Sequence, residues 1–561
     1  MPPYRERRGG PENPVGLPGY GWQMAPSTEL LGDPLTQLTG AQRDAVEATD
    51  SRLAVLAGAG AGKTRVLTLR VARMVDEGVD PSHIMVVTFS RKAAQELRQR
   101  LWRLGVEGIR SGTFHRSALE LVEIHRAERG LGPPTLLTDR RGALTRLIAP
   151  SAPTSRQRAT ATGVDTEITW AKSLGISPAD YEAAALGAGR KPPISLGSVA
   201  ALWADYETAK RRRGSMDFDD LIVDAVELLN DPRFASAIHW RSRHLLVDEF
   251  QDVNPMQFAL VERLVTPSST FFCVGDPNQS IYAFNGADPR LLGTVAERFA
   301  GTRTITLDVN HRSSPEIVRA ASAVLDPACR RATSSTQSPD AIPEIVELVD
   351  DQAEAEFTAV RARSLHGPGR HWRSIAVLAR TNAQLDLIAR AFETAGIPTD
   401  QLAGDLTRAS DVVLPASEPR RPQAAGTIPD AVALGTFHRA KGLEWPHVIV
   451  IGATDGFIPH AAASDPLALD EERRLLYVAM TRAERDLTVT WAARRSADEM
   501  ARIPERQRSP FLSPVAAEIE NMLAEQRPGM PARGAARASS LRAQLQRIKS
   551  AKMQAEEDRD G

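Results

Sequence analysis

With 561 residues, the chain is too long for a single hydrophobic core and is expected to divide into several domains. Its hydrophobic (42%) and charged (25%) fractions are typical of globular proteins, and a net charge of −1 disfavours coating of nucleic acid by bulk charge but not binding in a local groove. The two cysteines cannot form a disulfide framework. The sequence has no apolar run near the ~18 residues that a membrane span needs and no apolar signal-peptide core, so we expect a cytoplasmic protein without membrane partners.

The chain begins with residues 1–34, which are rich in Pro, Gly and Arg without periodicity, and we predict a disordered arm. Beyond the arm, short apolar runs alternate with amphipathic stretches. This alternation is typical of an α/β fold with doubly wound sheets of parallel strands. The strand-like runs are LAVLAG (53–58), IMVVTF (84–89), HLLVDE (244–249), TFFCVGD (270–276), IAVLAR (375–380) and VIVIGA (448–453).

Two stretches interrupt this alternation. Residues 116–214 are helix-rich and carry no chemical motif, which indicates a helical insertion, and residues 404–428 form a connector rich in Pro, Ala and Arg. The chain ends in a tail, residues 511–561, that we expect to be partly helical, either as a solvated helix or as a contact for a partner or DNA. The apolar residues of its helical rhythm are Leu541, Leu545, Ile548 and Met553.

A glycine-rich motif, AGAGAGKT, lies between the first strand-like run and an amphipathic helical pattern. This context is the one that a phosphate-binding loop requires, whereas a glycine-rich turn with an incidental lysine is the structural alternative. Backbone N–H groups of such a loop surround phosphates, Lys63 is expected to neutralise the β- and γ-phosphates of ATP, and Thr64 to ligate Mg²⁺. The expected ATP-binding positions are Ala57, which replaces the usual first Gly, and Gly58, Ala59, Gly60, Ala61, Gly62, Lys63 and Thr64.

A second motif, VDEFQD at 247–252, places two carboxylates at the end of an apolar strand. Asp248 is the expected holder of Mg²⁺, and Glu249 is the candidate base for water. An Asp-Glu pair at a strand end is weak evidence alone. Together with an upstream phosphate loop it predicts a site for ATP hydrolysis, because that reaction needs metal, base and phosphate cradle together.

Further patterns accompany these two motifs in a fixed order: LTGAQRDAV (38–46), VVTFSRKAAQEL (86–97), GTFH (112–115), DFDDLI (217–222), VGDPNQSIYAFNGAD (274–288), LDVNHRSSPEIV (307–318), VLARTNAQ (377–384), GTFHRAKGLEWPHVIVIG (435–452) and EERRLLYVAMTRAERDL (471–487). From Leu38 to about Leu487 the chain resembles the UvrD/Rep/PcrA group of superfamily 1 helicases. The resemblance implies two RecA-like domains with ATP in the cleft between them. The implied domain boundaries are 35–115 with 215–305, the insertion 116–214, and 306–403 with 429–510, joined by 404–428 in place of a second insertion.

The resemblance also implies roles for single residues around the nucleotide. Gln42 would read the adenine, Glu444 would contact the ribose, and His311 stands where the family usually has a stacking Tyr. Arg65 would join Lys63 and Thr64 at the phosphates, and Gln279 would sense the γ-phosphate. The implied catalytic set is Lys63, Glu249 and Gln279 from the first domain and two arginine fingers from the second, Arg312 and Arg482.

For nucleic acid, the resemblance assigns base stacking to Phe89, Tyr282 and Phe284. Phe284 and Asn285 replace the Trp and Arg of better-known members, which keeps a smaller stacking ring but removes one cationic contact. Without the resemblance, these aromatic residues would normally be interpreted as core residues, so the assignment depends mostly on their positions in the motifs. Polar or phosphate contacts are assigned to Arg91, Lys92, His115, Arg380, Asn382 and His438.

The expected function is that of a 3′→5′ single-stranded DNA translocase or helicase in DNA repair, recombination or replication, using ATP and Mg²⁺. Only about 50 residues separate Gln384 from Gly435, so the family's second insertion is expected to be absent or reduced, and translocation is expected more firmly than unwinding. The DNA partner would be a single strand or a 3′-tailed duplex. Two alternatives stay open: the motor subunit of a nuclease or anti-phage complex, with a protein partner docked on the tails, or an ATP-gated DNA-binding clamp.

Overall fold

The computed structural model describes residues 37–149, 154–402, 429–495 and 505–526. The predicted arm 1–34, the connector 404–428 and the helical rhythm of residues 541–553 lie outside the described residues. The chain divides into the units Met1–Leu38 and Thr39–Gly561, and all elements below belong to the second unit. We call its residues 39–307 the first lobe and its residues 308–526 the second lobe.

The first lobe is built on a six-stranded sheet in which every neighbouring pair of strands is parallel. The order across the sheet is β3-β2-β6-β7-β1-β8, so the strand before the glycine-rich loop lies near one edge. The strands are β1 (Arg52–Ala57), β2 (Ile84–Thr88), β3 (Arg110–Thr113), β6 (His244–Val247), β7 (Thr270–Gly275) and β8 (Arg303–Leu307).

The second lobe contains another six-stranded sheet, again with only parallel pairs and with the order β11-β16-β15-β12-β14-β13. Its strands are β11 (Glu344–Asp350), β12 (Ile375–Ala379), β13 (Thr399–Gln401), β14 (Val432–Thr436), β15 (Trp445–Val450) and β16 (Ala483–Arg494). Two small parallel pairs complete the described strands: β4 (Thr135–Leu136) with β5 (Ser215–Met216), and β9 (Val309–Asn310) with β10 (Ser334–Ser335).

Helices cover both faces of each sheet, as the predicted doubly wound fold requires. In the second lobe, α14 and α15 pack on one face, and α13, α16, α17 and α18 pack on the other. The described α-helices are α1 (Gly40–Glu47), α2 (Lys63–Asp76), α3 (Arg91–Arg103), α4 (Phe114–Glu128), α5 (Arg140–Ile148), α6 (Ser155–Ser173), α7 (Tyr181–Gly187), α8 (Leu196–Arg212), α9 (Phe218–Leu228), α10 (Pro232–Arg241), α11 (Pro255–Leu264), α12 (Arg290–Arg298), α13 (Pro315–Val324), α14 (Asp351–Leu365), α15 (Asn382–Thr394), α16 (Phe437–Ala440), α17 (Pro466–Met480) and α18 (Leu512–Glu525).

Helices α5 to α8 pack around a core of their own, in which Trp203 and Tyr206 are fully buried. The stretch predicted as an insertion begins inside α4, and α4 packs instead into the core of the first sheet through Phe114 and Leu121. The stretch predicted as the tail begins with α18, which packs into the core of the second lobe. Within the described ranges, no helix has both the length and the apolar character to cross a membrane.

A buried charge network, formed by Lys172, Lys210, Glu207, Asp217 and Asp220, joins these helices to the start of α9. The Lys172 Nζ atom lies 2.8 Å from an Asp217 oxygen and 2.7 Å from one of Asp220, and Lys210 Nζ lies 2.6 Å from the other Asp220 oxygen. Burial alone would lower the pKa of Lys172, but the carboxylates, Asp217 foremost, raise it well above its ordinary value. The carboxylates of Asp217 and Asp220 in the DFDDLI motif are therefore paired with the ammonium groups of Lys172 and Lys210. We call this network the charged joint.

Candidate active site

The glycine-rich loop runs from the end of β1 to the first residue of α2, Lys63. Gly60 and Gly62 have φ angles of 69° and 81°, a left-handed conformation that side chains with a Cβ disfavour. A Cβ on Gly60 would also lie 2.7 Å from the Asn310 Oδ1 atom. The loop therefore delivers the backbone N–H groups of a helix N-terminus to a concave site, and such groups bind phosphates.

Two carboxylates face this loop from the end of β6. The Thr64 hydroxyl donates a hydrogen bond to Asp248 Oδ2 at 3.3 Å, and the Glu249 backbone N–H donates to Asp248 Oδ1 at 2.9 Å. Glu249 is the one non-glycine residue with positive φ, 51°, among the described residues. Because such a conformation costs about 1–3 kcal/mol, the surrounding structure must hold it in place.

The surroundings shift the pKa values of the two carboxyl groups in opposite directions. Burial and the neighbouring Glu249 charge raise the pKa of Asp248 to about 7. Burial opposes ionisation of Glu249 as well, but Lys63 foremost, with Lys441, lowers the pKa of Glu249 to about 2. A hydroxyl oxygen and a carboxyl oxygen that is costly to ionise without a cation fit Mg²⁺, so Thr64 and Asp248 would hold that ion.

Side chains from the second lobe reach the same site. Arg482 is 1% exposed, and its guanidinium donates to Gln279 Oε1 at 3.3 Å and to the Val478 carbonyl at 2.9 Å. Arg312 donates to Glu444 at 2.7 Å and lies close to Arg482. Burial and the Arg312 charge lower the pKa of Arg482 to about 9, so the Arg482 guanidinium remains charged at neutral pH. Two adjacent cations in a buried site favour an anionic ligand.

The second lobe also touches the loop itself. Asn310 Nδ2 donates to the Ala59 carbonyl at 2.8 Å, and the His311 backbone N–H donates to the Gly60 carbonyl at 2.9 Å. Tyr477 of α17 is buried in the same core cluster as Ala59 of the loop. Movement of one lobe against the other therefore changes the surroundings of the phosphate loop.

Four rings from both lobes form an aromatic cluster: Phe89, Tyr282, Phe284 and His438. Phe89 stacks on Tyr282 with ring centroids 4.8 Å apart, and Phe284 meets His438 edge-on at 5.8 Å. Lys441 Nζ lies 5.0 Å from the centre of the Tyr282 ring. Phe284 is 37% exposed, so this cluster offers an aromatic face to solvent beside the cleft.

The chain matches two family models in sequence order. Residues 38–300 match the UvrD/REP helicase N-terminal domain, and residues 305–404 and 412–494 match the UvrD-like helicase C-terminal domain. The chain belongs to the UvrD/REP helicase family. The division between the two matched domains, residues 301–304, overlaps the start of β8, the edge strand of the first sheet.

Three relatives illustrate how far the similarity extends. The ATP-dependent DNA helicase UvrD2 of Mycobacterium tuberculosis is 31% identical over 588 residues, which cover 87% of this chain and 83% of the relative. The putative ATP-dependent DNA helicase YjcD of Bacillus subtilis is 26% identical over 661 residues, covering 89% and 84%. DNA helicase II of Escherichia coli is 32% identical over 378 residues, covering 65% of this chain and 51% of that protein.

At the expected adenine end of this helicase site, Gln42 is 1% exposed and donates its amide to the Ala61 carbonyl at 2.9 Å. The side chain thus braces the phosphate loop and lies beside it. The His311 ring bonds Thr336 at 3.3 Å through Nδ1, whereas its buried Nε2 atom has no hydrogen-bond partner within the described ranges. Burial and the charge of Arg65 lower the pKa of His311, so the ring is neutral and can stack.

The polar residues assigned to DNA in the helicase are distributed over both lobes. Arg91 and Lys92 are exposed at the start of α3, two and three residues after Phe89, and Asn382 is exposed at the start of α15. His438 belongs to the aromatic cluster. These four side chains stand at the carboxyl ends of parallel strands, the edge where open α/β sheets bind ligands.

Arg380 and His115 are held differently. The Arg380 guanidinium forms a bidentate pair with the buried Glu472, at 2.6 and 3.1 Å, so its charge is already matched by a carboxylate. His115 is half-buried in the first turn of α4, and burial lowers its pKa in spite of nearby Asp219. Contact of either residue with DNA phosphates stays a prediction.

The structure adds residues that the sequence did not single out. Asn310 caps the phosphate loop from the second lobe, and Lys441 Nζ crosses the cleft to Asp252 at 2.5 Å and to the Gln279 carbonyl at 2.6 Å. Lys441 and Asp252 lie within quoted motifs, so motif membership marked the positions but not the contact between them. That contact joins side chains 189 positions apart, beyond the reach of local pattern.

Proposed function

We propose that this helicase hydrolyses ATP to move in the 3′→5′ direction along single-stranded DNA. The observation that carries the proposal is the short segment between Gln279 and Tyr282. Gln279 contacts Arg482 in the nucleotide cleft, and Tyr282 stacks on Phe89 in the aromatic cluster. Because one segment belongs to both sites and both sites contain residues of the second lobe, closure of the cleft can alter the hold on a strand.

In the proposed reaction, Lys63 and the loop N–H groups bind the phosphates. Thr64 and Asp248 would hold Mg²⁺, which when bound offsets the charge of the phosphate oxygens. Glu249, kept ionised by Lys63, orients the attacking water and accepts its proton. Arg482 and Arg312 stabilise the negative charge that develops on the γ-phosphoryl group, so hydrolysis requires the second lobe to be in place.

The aromatic cluster supplies the proposed DNA contact. Base stacking on aromatic rings contributes ~1–3 kcal/mol per base and tolerates any sequence. Phe284 presents the most exposed ring of the cluster, and the Phe89–Tyr282 stack would open to admit a base. Arg91, Lys92 and Asn382 are proposed to contact the backbone, and a tailed duplex would enter by its 3′ tail.

The first test measures the steady-state ATPase rate with and without oligo(dT). We expect the strand to stimulate hydrolysis, and an unstimulated wild-type rate would contradict the motor. Lys63→Ala should lower the rate by at least about 10²-fold, since it removes the cation at the phosphates. Arg73→Ala is the matched control, because Arg73 lies at the far end of the same helix and pairs with Glu77 at 2.6 Å.

Direction is tested on duplexes that carry a 3′ or a 5′ single-stranded tail. Displacement or ATPase stimulation that favours the 3′ tail supports the proposed polarity, and preference for the 5′ tail overturns it. Roles in DNA repair, recombination or replication, and action in the cytoplasm, follow from the proposed chemistry on DNA and are part of the same proposal.

A further inference from the structure

The bridging segment, residues 279–283, connects the γ-phosphate sensor to the aromatic cluster. Three side chains of the second lobe bind its backbone. Lys441 Nζ donates to the Gln279 carbonyl at 2.6 Å, and Arg474 Nε donates to the Ser280 carbonyl at 2.8 Å. Glu471 Oε1 accepts from the Ala283 N–H at 2.9 Å. The segment thus belongs to the first lobe, but its backbone is hydrogen-bonded to side chains of the second lobe.

Two of these three side chains lie on one helix turn. Glu471 and Arg474 are three residues apart on α17, and side chains at this spacing share a helix face. Both are half-buried, and burial raises the pKa of Glu471 although the Ala283 N–H and Arg474 lower it. Hydrogen bonds to backbone groups do not depend on which side chains the segment carries, so they act on its position alone.

The same helix also reaches the nucleotide site. Tyr477 of α17 is buried in the same core cluster as Ala59 of the phosphate loop, and Arg482 follows the helix directly after Thr481. A rigid α17 therefore cannot move relative to the phosphates without pulling on the bridging segment. Three residues beyond the segment, Gly286 packs so closely against Ser173 of the insertion that an added Cβ would collide with it. The residues that carry Tyr282 and Phe284 thus lie between a contact with the insertion and a contact with α17.

We propose that Glu471 and Arg474 are positioning residues that convert nucleotide-dependent movement of the second lobe into a change in the placement of Tyr282 and Phe284, and hence in affinity for single-stranded DNA. This inference rests on the proposed function. It assigns to the middle of α17 a task separate from the Arg482 contact at its end. Neither positioning residue touches nucleotide or base; each acts through a backbone hydrogen bond.

The experiment measures the coupling between the two ligands. The dissociation constant of fluorescein-labelled oligo(dT) is determined without nucleotide and with a non-hydrolysable ATP analogue plus Mg²⁺, and the ratio of the two constants is the coupling factor. We expect Glu471→Ala and Arg474→Ala to bring this factor closer to one by at least about threefold. Glu471→Gln should keep the wild-type factor, because its amide oxygen can still accept from Ala283.

Arg473→Ala is the matched control on the same helix. Its guanidinium lies 4.4 Å from the centre of the Phe511 ring and donates to the Val324 carbonyl, away from the bridging segment. A merely structural role would weaken DNA binding equally with and without nucleotide and leave the factor unchanged. That result for both alanine variants, or a loss in Glu471→Gln equal to that in Glu471→Ala, overturns the inference.

The two proposals fail separately. If wild-type protein shows neither oligo(dT) binding nor stimulated hydrolysis, the proposed function is wrong. If wild-type protein binds DNA with a nucleotide-dependent affinity and both alanine variants retain the full factor, only the role of α17 is wrong.

Discussion

At the scale of single residues, the opposed ionisation of two adjacent carboxyl groups is the chemically decisive feature. Asp248 is costly to ionise until a cation arrives, whereas Glu249 stays charged because Lys63 compensates it. The positive φ of Glu249 turns its side chain away from the strand direction and towards Gln251, whose amide donates to it. The backbone strain is thus part of how the proposed base is aimed.

We predict that Glu249→Gln lowers the ATPase rate by about 10²–10⁴-fold, because the amide cannot accept the proton of water. Nucleotide binding, measured with a fluorescent ATP analogue, should remain within about tenfold of wild type since the phosphate loop is intact. A variant that hydrolyses ATP at the wild-type rate would show that another group is the base.

His438 gives a pH prediction. Burial, Arg380 and Lys441 lower its pKa to about 4, below the ordinary value near 6.5 that applies to the unfolded chain. The unfolded state therefore binds more protons below pH 6.5, and the stability contributed by neutral His438 falls as pH drops from about 6.5 towards 4. His438→Gln should lose less melting temperature than wild type between pH 7.5 and pH 5.5, by about a few degrees; parallel melting curves would contradict this.

Residues of the site differ in how far the sequence could predict them. Local sequence pattern was sufficient to predict that Lys63, Thr64 and Asp248 lie close together. Each follows a buried strand, and the carboxyl ends of parallel strands meet at one edge of a sheet. The pairing of Arg380 with Glu472 and the capping of the loop by Asn310 arise from packing of distant elements. No periodicity or spacing records such contacts, which explains why these two features came only from the structure.

At the scale of elements, apolar runs predicted β1, β2, β6, β7, β12 and β15. The strand β3, Arg110–Thr113, has no large apolar side chain and is recognisable only by its pairing with β2. β8 lies at the sheet edge and exposes alternate residues, so its pattern is weak. Pairing partners, rather than composition, define these strands.

The helix α18 packs into the core of the second lobe. Leu512, Val515 and Met522 are at most 2% exposed in the shared core, and Arg319 of α13 donates to Glu525 at 2.7 Å. This helix lies within the stretch that the sequence indicated as a tail. Its packing makes it a structural part of the lobe that carries α17.

We predict that Met522→Ala destabilises the protein by about 2–5 kcal/mol, since it leaves a cavity in this core. A thermal-shift experiment should show a lower melting temperature for the variant. Glu520→Ala, an exposed position on the same helix, is the control and should melt with wild type. Equal melting of both variants would show that α18 is dispensable for the lobe.

At the scale of the whole molecule, two lobes, each built on a sheet of parallel strands, contribute side chains to one nucleotide site. In the first lobe, α5 to α8 form a helical group with its own core, whereas only residues 402–431 lie between β13 and β14 in the second lobe. A helical insertion of comparable size has no room in that interval. We therefore expect movement along a single strand to be more efficient than separation of a duplex.

We predict rapid translocation with weak unwinding. Displacement of streptavidin from a biotinylated oligonucleotide measures the first activity, and strand displacement from a 3′-tailed duplex measures the second, at equal protein concentration. Lys63→Ala should fail in both assays. Unwinding of long duplexes as fast as translocation on bare strands would show that the second insertion is not needed.

The charged joint at α9 has a consequence for experiments at different ionic strengths. Lys172, Lys210 and Asp217 have side chains at most 7% exposed, so dissolved salt, which screens exposed charges over ~10 Å at 0.1 M, barely reaches them. The inserted domain should therefore stay attached to its lobe at the salt concentrations that weaken protein contacts with DNA phosphates. The slope of log affinity against log salt would then count phosphate contacts of an intact motor, without a contribution from a loosening domain.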